Sequence, residues 1–347
     1  MKRLRILEVL GVLVLLGWTG LAHATLVSRI DGFFSPDDGL LHAIVGTSDK
    51  KVYDVTWTDG SAPTITLLHQ FNTLIQDVAG YYSPNDHNRH AIVALIDNTV
   101  WEIYYRPSIG VFVDQLATIN PSYGEVSSVA GHVDHNNYQN VVIGTYGPSG
   151  SYAFVLLLRW YSGKGVQFSE LAIESGGVTD VASLCDDNGT DHAIALVNTG
   201  SVVQGYSHSF HDVQYTGLGS GITIGGDSLV GGGSYPNSLY PGIGAFNWLN
   251  DSYEIVGPLL PAAPNTTLPT ELYDWLVYNN GYVAITDDIT DPWGIETGAG
   301  FYQANGWCPN RHMLHYNGAG SILDHEKNAC FPNSAWKTTY LANNFDF

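Results

Sequence analysis

The sequence repeats itself with a period of about fifty residues. In the first copy Gly32 is followed by a Ser-Pro turn and an apolar run, and in the second copy Gly80 opens the same series. The residues that begin the second apolar run of the four clearest copies are His42, His90, Asn140 and His192. A fixed period of this length is typical of repeat proteins, in which each copy forms one structural unit.

Each copy contains several short apolar runs that are separated by turn residues. The runs are rich in Val, Ile, Tyr and Trp and are too short for helices, so they predict strands. Four antiparallel strands in about fifty residues form the pattern of a β-propeller blade. We therefore predict an all-β chain that forms a β-propeller of about six four-stranded blades, with seven as the alternative. A strand over 25–29 is expected to close the ring with the C-terminal end.

The charge of the chain argues against one class of partner. The 347 residues include 13 Lys and Arg against 33 Asp and Glu, which gives a formal net charge of −20. Binding to a nucleic-acid backbone needs cationic contacts, so nucleic acid is not expected as a partner. The acidic balance fits a neutral or cationic ligand, or serves solubility alone.

The first 24 residues have the composition of a signal peptide. Lysine and arginine side chains precede an apolar run, and an Ala-His-Ala segment offers a cleavage site after Ala24. A membrane anchor is the alternative, but the uninterrupted apolar core is short for a span. The sequence therefore predicts a signal peptide over 1–24 and a single propeller domain over 25–347. The mature chain is expected to be secreted or periplasmic, without a stable membrane span.

The chain has three cysteines. Cys308 and Cys330 lie in the same C-terminal region, and an exported protein allows a disulfide, so we expect these two to bond and to staple that region. Cys185 is expected to remain a buried thiol. The segment from Cys308 to His312 lacks the second cysteine of a haem attachment site, so no haem is expected.

Two turns rich in Asp and Asn suggest a calcium site. Carboxylate and amide oxygens that are spaced by one or two residues in a tight turn suit a hard cation. These turns resemble the FG-GAP repeats of integrin-like propellers, in which a strand runs into a short calcium loop. The calcium ligands that this resemblance implies are Asp186, Asn188, Asp191, Asp134 and Asn136. An Asx-rich hairpin turn without metal is the alternative.

A second set of side chains recurs at matching positions of the copies. Its members are Asp54, Glu102, Gln204 and Glu254 on the third run, His42, His90 and His192 on the second, and the aromatic residues Trp57, Tyr105 and Trp160. The set resembles the repeats of fucose-binding propeller lectins, which pair an arginine with a carboxylate and add an aromatic platform. The arginine of those lectins is absent here, and the three histidines stand where the preceding strand begins. The resemblance implies that carboxylates accept hydrogen bonds from sugar hydroxyl groups while the rings cover the apolar face of the sugar. An acid on an exposed strand face, with a histidine that caps a turn, is the alternative.

No hydrolase motif stands out, because the sequence has neither a G-x-S-x-G elbow nor a phosphate-binding loop. We therefore predict a secreted, non-catalytic, lectin-like protein with repeated shallow sites, whose partners are glycans or a glycosylated cell surface. An integrin-like, calcium-binding adhesion or structural protein is the second hypothesis. A secreted glycosidase or lyase is the third.

Overall fold

The computed structural model describes part of the chain in detail. The described residues are 27–58, 61–147, 152–161, 165–185, 191–198, 208–218, 222–228, 243–247, 252–256, 283–284, 298–303, 310–316, 321–328 and 337–343. They form strands and one short 3-10 helix (Pro121–Tyr123). None of these residues belongs to a helix that is long and apolar enough to cross a membrane.

The strands build six sheets within the described residues, numbered here in chain order. Sheet 1 contains β1 (Val27–Ser35), β2 (Leu40–Thr47), β3 (Lys51–Trp57) and β4 (Thr64–Gln70). Sheet 2 contains β5 (Ile75–Ser83), β6 (Asn88–Leu95), β7 (Thr99–Arg106) and β8 (Gly110–Thr118). Sheet 3 contains β9 (Glu125–Val133), β10 (Gln139–Tyr146), β11 (Ala153–Trp160) and β12 (Gln167–Glu174).

The second half of the chain continues the pattern. Sheet 4 contains β13 (Gly177–Cys185), β14 (Asp191–Asn198), β15 (His208–Tyr215) and β16 (Ile222–Ser228). Sheet 5 contains β17 (Ile243–Asn247), β18 (Ser252–Val256) and β19 (Val283–Ala284), and sheet 6 contains β20 (Gly298–Gln303), β21 (Asn310–Tyr316), β22 (Ser321–Asn328) and β23 (Lys337–Asn343). Five of these sheets are antiparallel and four-stranded with consecutive strands as neighbours, whereas β19 pairs in parallel with β17.

The sheets form a closed ring. The first strands contact one another in succession, from β1 to β5, β9 and β13, and β19 and β20 then complete the circuit back to β1. The predicted propeller of four-stranded sheets is therefore confirmed. The expected closing strand over 25–29 is wrong, because Val27 and Arg29 begin β1 and pair with β2 inside sheet 1. Sheets 1 and 6 are each built from their own strands, so the ring closes by side-chain packing.

The apolar core is divided among the interfaces between neighbouring sheets. Every residue of β6 is buried, because this second strand lies between two flanking sheets, whereas most residues of the outermost strand β4 are exposed. One core cluster joins sheets 1 and 2, and others join sheets 2 and 3, sheets 3 and 4, and sheets 6 and 1. A single repeat leaves both faces uncovered, so the ring supplies most of its apolar burial.

Glycines of the repeat make room for aromatic rings of the preceding sheet. A Cβ atom at Gly80 would lie 2.6 Å from Phe33 Cδ1, and one at Gly131 would lie 2.5 Å from Tyr81 Cδ1. Side chains do not approach so closely without displacing a neighbour. The recurring glycine is therefore a packing requirement of the ring.

Gly131→Ala is expected to lower the free energy of unfolding by about 1–3 kcal/mol, because the new methyl group overpacks the contact with Tyr81. Gly165→Ala is the matched control, since a Cβ atom there meets nothing within 4 Å. Chemical denaturation of both variants measures the difference. Equal stabilities would show that the Tyr81 ring moves aside without penalty.

Candidate functional site

Three sheets carry the same buried pair of a histidine and a carboxylate, here called the His–carboxylate pair. The pairs are His42–Asp54 in sheet 1, His90–Glu102 in sheet 2 and His312–Asp324 in sheet 6. The distance from the histidine Nδ1 atom to the nearer carboxylate oxygen is 3.0, 2.7 and 3.0 Å in that order. The carboxylate can only accept, so Nδ1–H donates in each case.

The pairs follow from strand geometry. Asp54 lies opposite Ile44, and Glu102 lies opposite Ile92, so each carboxylate faces the residue two positions after the histidine. Residues two apart on a strand point to the same side of the sheet. The histidine and the carboxylate therefore share one face, and that face packs against the next sheet in the ring.

Sequence reasoning missed the pair in sheet 6. His312 and Asp324 are separated by twelve residues, the same spacing as His42 and Asp54. Asp324 also lies opposite the residue two positions after the histidine, as in sheets 1 and 2. The apolar runs around this pair were too divergent to show the repeat, but the twelve-residue spacing was present in the sequence.

An aromatic side chain of the next sheet covers the His–carboxylate pair. We call the interface between two neighbouring sheets a seam and name it by its sheets. Across the 6–1 seam, Trp57 Nε1 donates to Asp324 Oδ2 over 3.0 Å. Across the 1–2 seam, the Tyr105 hydroxyl group lies beside Asp54. The structure thus brings the predicted residue types together, but each aromatic residue joins a carboxylate of the preceding sheet.

The His–carboxylate pairs lie deep in the seams. His42 is 0% and Asp54 is 3% exposed, and the covering rings of Trp57 and Tyr105 are buried as well. The His42 ring also stacks on Phe33 of β1, with 4.8 Å between ring centroids. The predicted ligand residues His42, Asp54 and Tyr105 therefore lie together in buried positions.

A second carboxylate faces the other nitrogen of two of the histidines. Asp38 Oδ2 lies 3.4 Å from His42 Nε2, and Asp86 Oδ2 lies 3.3 Å from His90 Nε2. Burial alone would lower the pKa of both histidines, but hydrogen bonds and charge from the two carboxylates outweigh it and raise the pKa. Burial likewise opposes ionisation of Asp38 and Asp86, yet contact with the histidines lowers the pKa of each to about 2.

The free energy of unfolding is expected to fall as the pH rises through the neutral range. A histidine with a folded-state pKa above 6.5 stabilises the fold fully below that pH, and this contribution is lost as the pH rises through the folded-state pKa. Asp31 acts in the same direction, because burial raises its pKa to about 7. At the acid end, Asp38 and Asp86 lose their contribution as the pH falls from about 4 to about 2.

Thermal melts at about pH 6 and about pH 8 test this expectation, because histidine titrates between them. The double variant His42→Gln/His90→Gln is the control, and its melting temperature should change less between the two buffers. A wild type and a double variant with the same pH dependence would contradict the assignment to the two histidines.

Polar side chains, of which Arg89 is buried, surround the 1–2 seam at the β1–β2 and β5–β6 turns, and this end of the seam is here called its mouth. The mouth consists of Asp37, Asp38, Tyr82, His87 and Arg89. Arg89 Nη2 lies 2.5 Å from Asp38 Oδ2, and His87 Nδ1 lies 3.3 Å from Asp37 Oδ2 and 3.0 Å from the Tyr82 hydroxyl. The sequence-based set contains none of these residues. Their signal in the sequence was the Ser-Pro turn that recurs in the first two copies of the repeat.

Sheet 3 lacks the His–carboxylate pair. Asn140 of β10 occupies the histidine position, and Leu157 of β11 occupies the carboxylate position opposite Val142. Trp160 keeps the aromatic position and packs into the core shared with sheet 2. Both partners are thus replaced together, so neither is left as an unpaired charge.

In sheets 4 and 5 the pairing register of the strands shows which residue occupies the carboxylate position. Gln204 lies outside the described residues, and Asp212 of β15 lies opposite Ile194, the residue two positions after His192. Sequence reasoning missed Asp212, because the connection between the second and third strands is longer here than in sheets 1 and 2. In sheet 5, Glu254 lies opposite Ala245, and the histidine position is occupied by an isoleucine.

The proposed calcium residues are engaged with protein groups where the structure describes them. Asp134 Oδ1 accepts hydrogen bonds from the backbone nitrogens of Asn136 and Tyr138, and its Oδ2 binds Arg159. Asp191 Oδ1 lies 3.3 Å from His132 Nε2. The remaining two residues, Asp186 and Asn188, lie outside the described ranges. Within those ranges no three potential metal ligands cluster together.

The cysteines are only partly described. Cys308 and Cys330 lie outside the described residues. Cys185, which we expected to be buried, is half-buried at the end of β13, and burial raises the pKa of its thiol to about 12. A thiol with such a pKa is protonated at neutral pH and is a poor nucleophile.

Comparison with solved structures places this geometry in a known fold. A lectin of Aleuria aurantia, described as a six-bladed β-propeller, has a TM-score of 0.53 at 11% identity, over 91% of this chain and 95% of that one. The chain shares a β-propeller fold with this lectin. AofleA from Arthrobotrys oligospora has a TM-score of 0.50 at 11% identity, over 92% and 88% of the two chains. The SapL1 lectin in complex with α-methyl fucoside has a TM-score of 0.50 at 12% identity, over 91% and 96%.

Sequence comparisons add no closer relative. No family model matches the chain, so the FG-GAP resemblance has no support there. No curated protein matches it either. The resemblance to fucose-binding propeller lectins is therefore confirmed at the level of the fold, and the six described sheets agree with the six blades of the Aleuria lectin.

Proposed function

We propose that this chain is a secreted, non-catalytic carbohydrate-binding propeller whose shallow sites lie at the seams. The supporting observation is the recurrence of one arrangement, a His–carboxylate pair under an aromatic ring of the next sheet, at two seams of the described structure. A recurring arrangement suits a multivalent binding protein, whereas a catalytic centre is single. The β-propeller fold shared with the Aleuria lectin adds support by analogy.

The mouth of the 1–2 seam supplies the chemistry for a neutral sugar. Asp37 and Asp38 offer carboxylate oxygens that accept hydrogen bonds from hydroxyl groups, and Arg89 offers donors. The Tyr82 ring adds an amphipathic surface whose hydroxyl is already oriented by His87. The mouth carries charges of both signs, so it does not demand a charged ligand.

The buried His–carboxylate pair has a supporting role in this proposal. His42 contacts Asp54 on the strand and Asp38 on the turn, so it ties the turn to the sheet. Arg89 of the next sheet binds the same Asp38. A mouth held from both sheets stays in place without a ligand, which lowers the conformational cost of binding.

A glycan array tests the proposal with the purified mature chain, in the presence and absence of calcium. Asp37→Asn should weaken the glycan signal, because it removes one charged acceptor from the mouth. Asp49→Asn is the matched control, since its side chain is similarly exposed but lies at the turn between β2 and β3, at the opposite end of the sheet. If no glycan on the array binds, the proposal is overturned. If no glycan binds and calcium raises the melting temperature of the protein, the result favours the adhesion protein instead.

Export and the C-terminal disulfide belong to the same proposal. Asn310 of β21 lies opposite Asn328 of β22, and each expected cysteine, Cys308 and Cys330, lies two positions beyond this register pair in the sequence. Mass spectrometry of exported protein should find a chain that begins at Thr25 with Cys308 linked to Cys330. An alkylated Cys308 without reduction would contradict the disulfide.

A further inference from the structure

The first turn of sheets 1, 2 and 3 has an aspartate at the same position of the repeat. These residues are Asp38, Asp86 and Asp134. In each turn the Oδ1 atom accepts a hydrogen bond from the backbone nitrogen two residues later, over 3.1, 3.0 and 2.8 Å in that order. Each carboxylate also contacts a basic side chain, and the type of that side chain differs among the three turns.

Sheets 3 and 1 hold this aspartate with an arginine. In sheet 3 the Asp134 carboxylate binds Arg159 of β11. In sheet 1 the Asp38 Oδ2 atom lies 2.5 Å from Arg89 Nη2 and 3.4 Å from His42 Nε2. An arginine side chain does not lose its proton in a protein. The turn of sheet 3 is therefore held independently of pH, and the turn of sheet 1 has one permanent and one titratable contact.

Sheet 2 holds its aspartate with a histidine. His90 Nε2 lies 3.3 Å from both oxygen atoms of Asp86, while His90 Nδ1 lies 2.7 Å from Glu102 Oε1. We call this set of three side chains the imidazolium bridge. The other hydrogen-bonding partners that the described structure gives Asp86 are uncharged, and they are the Asn88 backbone nitrogen, the Gln139 amide and the Ser83 hydroxyl.

The imidazolium bridge requires a proton on both ring nitrogens. A neutral imidazole has one N–H group, so it can donate to one carboxylate only. Glu102 is the nearer carboxylate, so Nδ1 keeps the proton and the Nε2 lone pair then faces Asp86, which also only accepts. Burial alone would lower the pKa of His90, but hydrogen bonds and charge from Asp86 and Glu102 raise it. The contact between the turn and the sheet is therefore lost as the pH rises above the usual range of histidine.

The remaining groups around His90 do not replace this proton. The Tyr81 ring of β5 stacks on the imidazole with 4.9 Å between centroids, and the Tyr104 ring of β7 lies at 6.3 Å. Burial raises the pKa of both phenols, so both are neutral near pH 7. Sheet 3 packs here with Gln139, which is uncharged. Arg89 is the next residue along β6, and its guanidinium binds the turn of sheet 1.

The turn that the imidazolium bridge holds contacts both neighbouring sheets. On one side His87 Nδ1 lies 3.3 Å from Asp37 Oδ2, within the mouth of the 1–2 seam. On the other side Asn85 Nδ2 donates to the Asn137 carbonyl oxygen over 2.8 Å. A turn that leaves its sheet would therefore change the shape of the 1–2 mouth and lose its contact with sheet 3.

We propose that the β5–β6 turn is a proton-dependent device that regulates ligand binding at the 1–2 mouth. The turn is fixed to sheet 2 while His90 is doubly protonated and is released when His90 loses a proton. This regulation rests on the proposed carbohydrate-binding function. Binding is tighter at the acid end of the histidine range, because a mouth that is already fixed lowers the conformational cost of binding.

Hydrogen–deuterium exchange of the full mature chain, resolved by NMR, tests the device without a ligand. Exchange is measured at about pH 6 and about pH 9, on either side of the histidine range, and corrected for the intrinsic pH dependence of exchange. The amides of His87 and Asn88 should lose protection by up to about tenfold per pH unit once His90 is neutral. The amides of Asn136 and Asn137, in the turn of sheet 3, should keep theirs.

Asp86→Asn is the deciding variant. Its amide oxygen can still accept from the Asn88 backbone nitrogen, and its amide nitrogen can donate to the neutral His90 Nε2, so the turn should stay protected at both pH values. His87 is unchanged in this variant, so the result separates the two histidines. Asp97→Asn is the matched control, because Asp97 also accepts from the backbone nitrogen two residues later but lies at the opposite end of sheet 2. It should keep the pH response of the wild type.

Calorimetric titration with the strongest saccharide from the array supplies the second readout. The wild type should bind about tenfold more weakly at about pH 9 than at about pH 6, a change of about 1.4 kcal/mol. Asp86→Asn should bind with the same affinity at both pH values. Asp97→Asn should show the wild-type difference.

Three outcomes would overturn the inference, and they are distinguishable from one another. If the wild-type turn keeps its protection at about pH 9, or if Asp86→Asn releases it as the wild type does, the imidazolium bridge is not the device and the proposed function stands. If the turn is released but the affinity does not change, the turn does not regulate binding. If no saccharide binds at either pH, the proposed function fails and the regulation fails with it.

Discussion

The Glu102→Ala variant is expected to unfold about 3–5 kcal/mol more easily than the wild type, the typical cost of removing one partner from a buried ion pair. His90 is 1% exposed and lies between Glu102, Asp86 and the stacked ring of Tyr81. Without Glu102 the Nδ1–H group of His90 loses its acceptor in a place that water does not reach. Urea denaturation with a fixed buffer pH measures the loss.

Sheet 3 supplies the control for this experiment. Its uncharged residues Asn140 and Leu157 occupy the histidine position and the carboxylate position. The double variant His90→Asn/Glu102→Leu therefore gives sheet 2 the residue combination of sheet 3. Replacing both members of a buried ion pair with groups of similar volume is often close to neutral. The double variant should therefore be more stable than Glu102→Ala. A double variant that is no more stable than the single one would show that the pair is not the source of the loss.

Trp57→Ala is expected to lower the free energy of unfolding by about 3–5 kcal/mol, the range for deleting a large buried aromatic side chain. Trp57 is packed in the core cluster shared by sheets 6 and 1, and its Nε1–H group donates to Asp324. The substitution removes the apolar contact and leaves a buried carboxylate with one donor fewer. Both effects fall on the seam that joins the two ends of the described ring.

Trp101→Ala is the matched control for Trp57. The Trp101 ring is half-buried, packs against Phe71 at the edge of the core cluster shared by sheets 1 and 2, and donates to Thr99 on its own strand. Its removal therefore deletes less buried surface than that of Trp57 and breaks no side-chain hydrogen bond between sheets. We expect it to cost clearly less than Trp57→Ala in the same denaturation assay. A Trp101→Ala variant as unstable as Trp57→Ala would mean that the 6–1 seam contributes no more than an ordinary aromatic contact.

The period of the sequence was enough to predict the sheets. His42 and His90 both lie near the start of a second strand, because the apolar runs and turns around them are short and regular. The same pattern placed Asp54 and Glu102 on third strands, and the structure joins each to the histidine of its own sheet. Local spacing determines these contacts, so the sequence of a single repeat is enough to predict that the histidine and the carboxylate meet.

Contacts between sheets could not be predicted in the same way. Trp57 and Asp324 are 267 residues apart, and no local pattern connects them. The burial of the His–carboxylate pair was missed for a related reason, because a repeat does not reveal which strand face meets the next sheet. The register of sheet 4 puts Asp212 at the carboxylate position, whereas constant repeat spacing pointed to Gln204, because the connection before Asp212 is longer than in sheets 1 and 2.

The first and last described sheets share no strand, and this has a consequence for how such a chain can change. Each four-stranded sheet is encoded by one contiguous stretch, and its partners are the side chains of its two neighbours. Duplicating or deleting one such stretch in a gene would add or remove a whole four-stranded sheet without breaking hydrogen bonds between strands. The architecture can therefore be extended, shortened or circularly permuted by whole units, and each unit can vary its seam, as sheet 3 has done, while the others keep theirs.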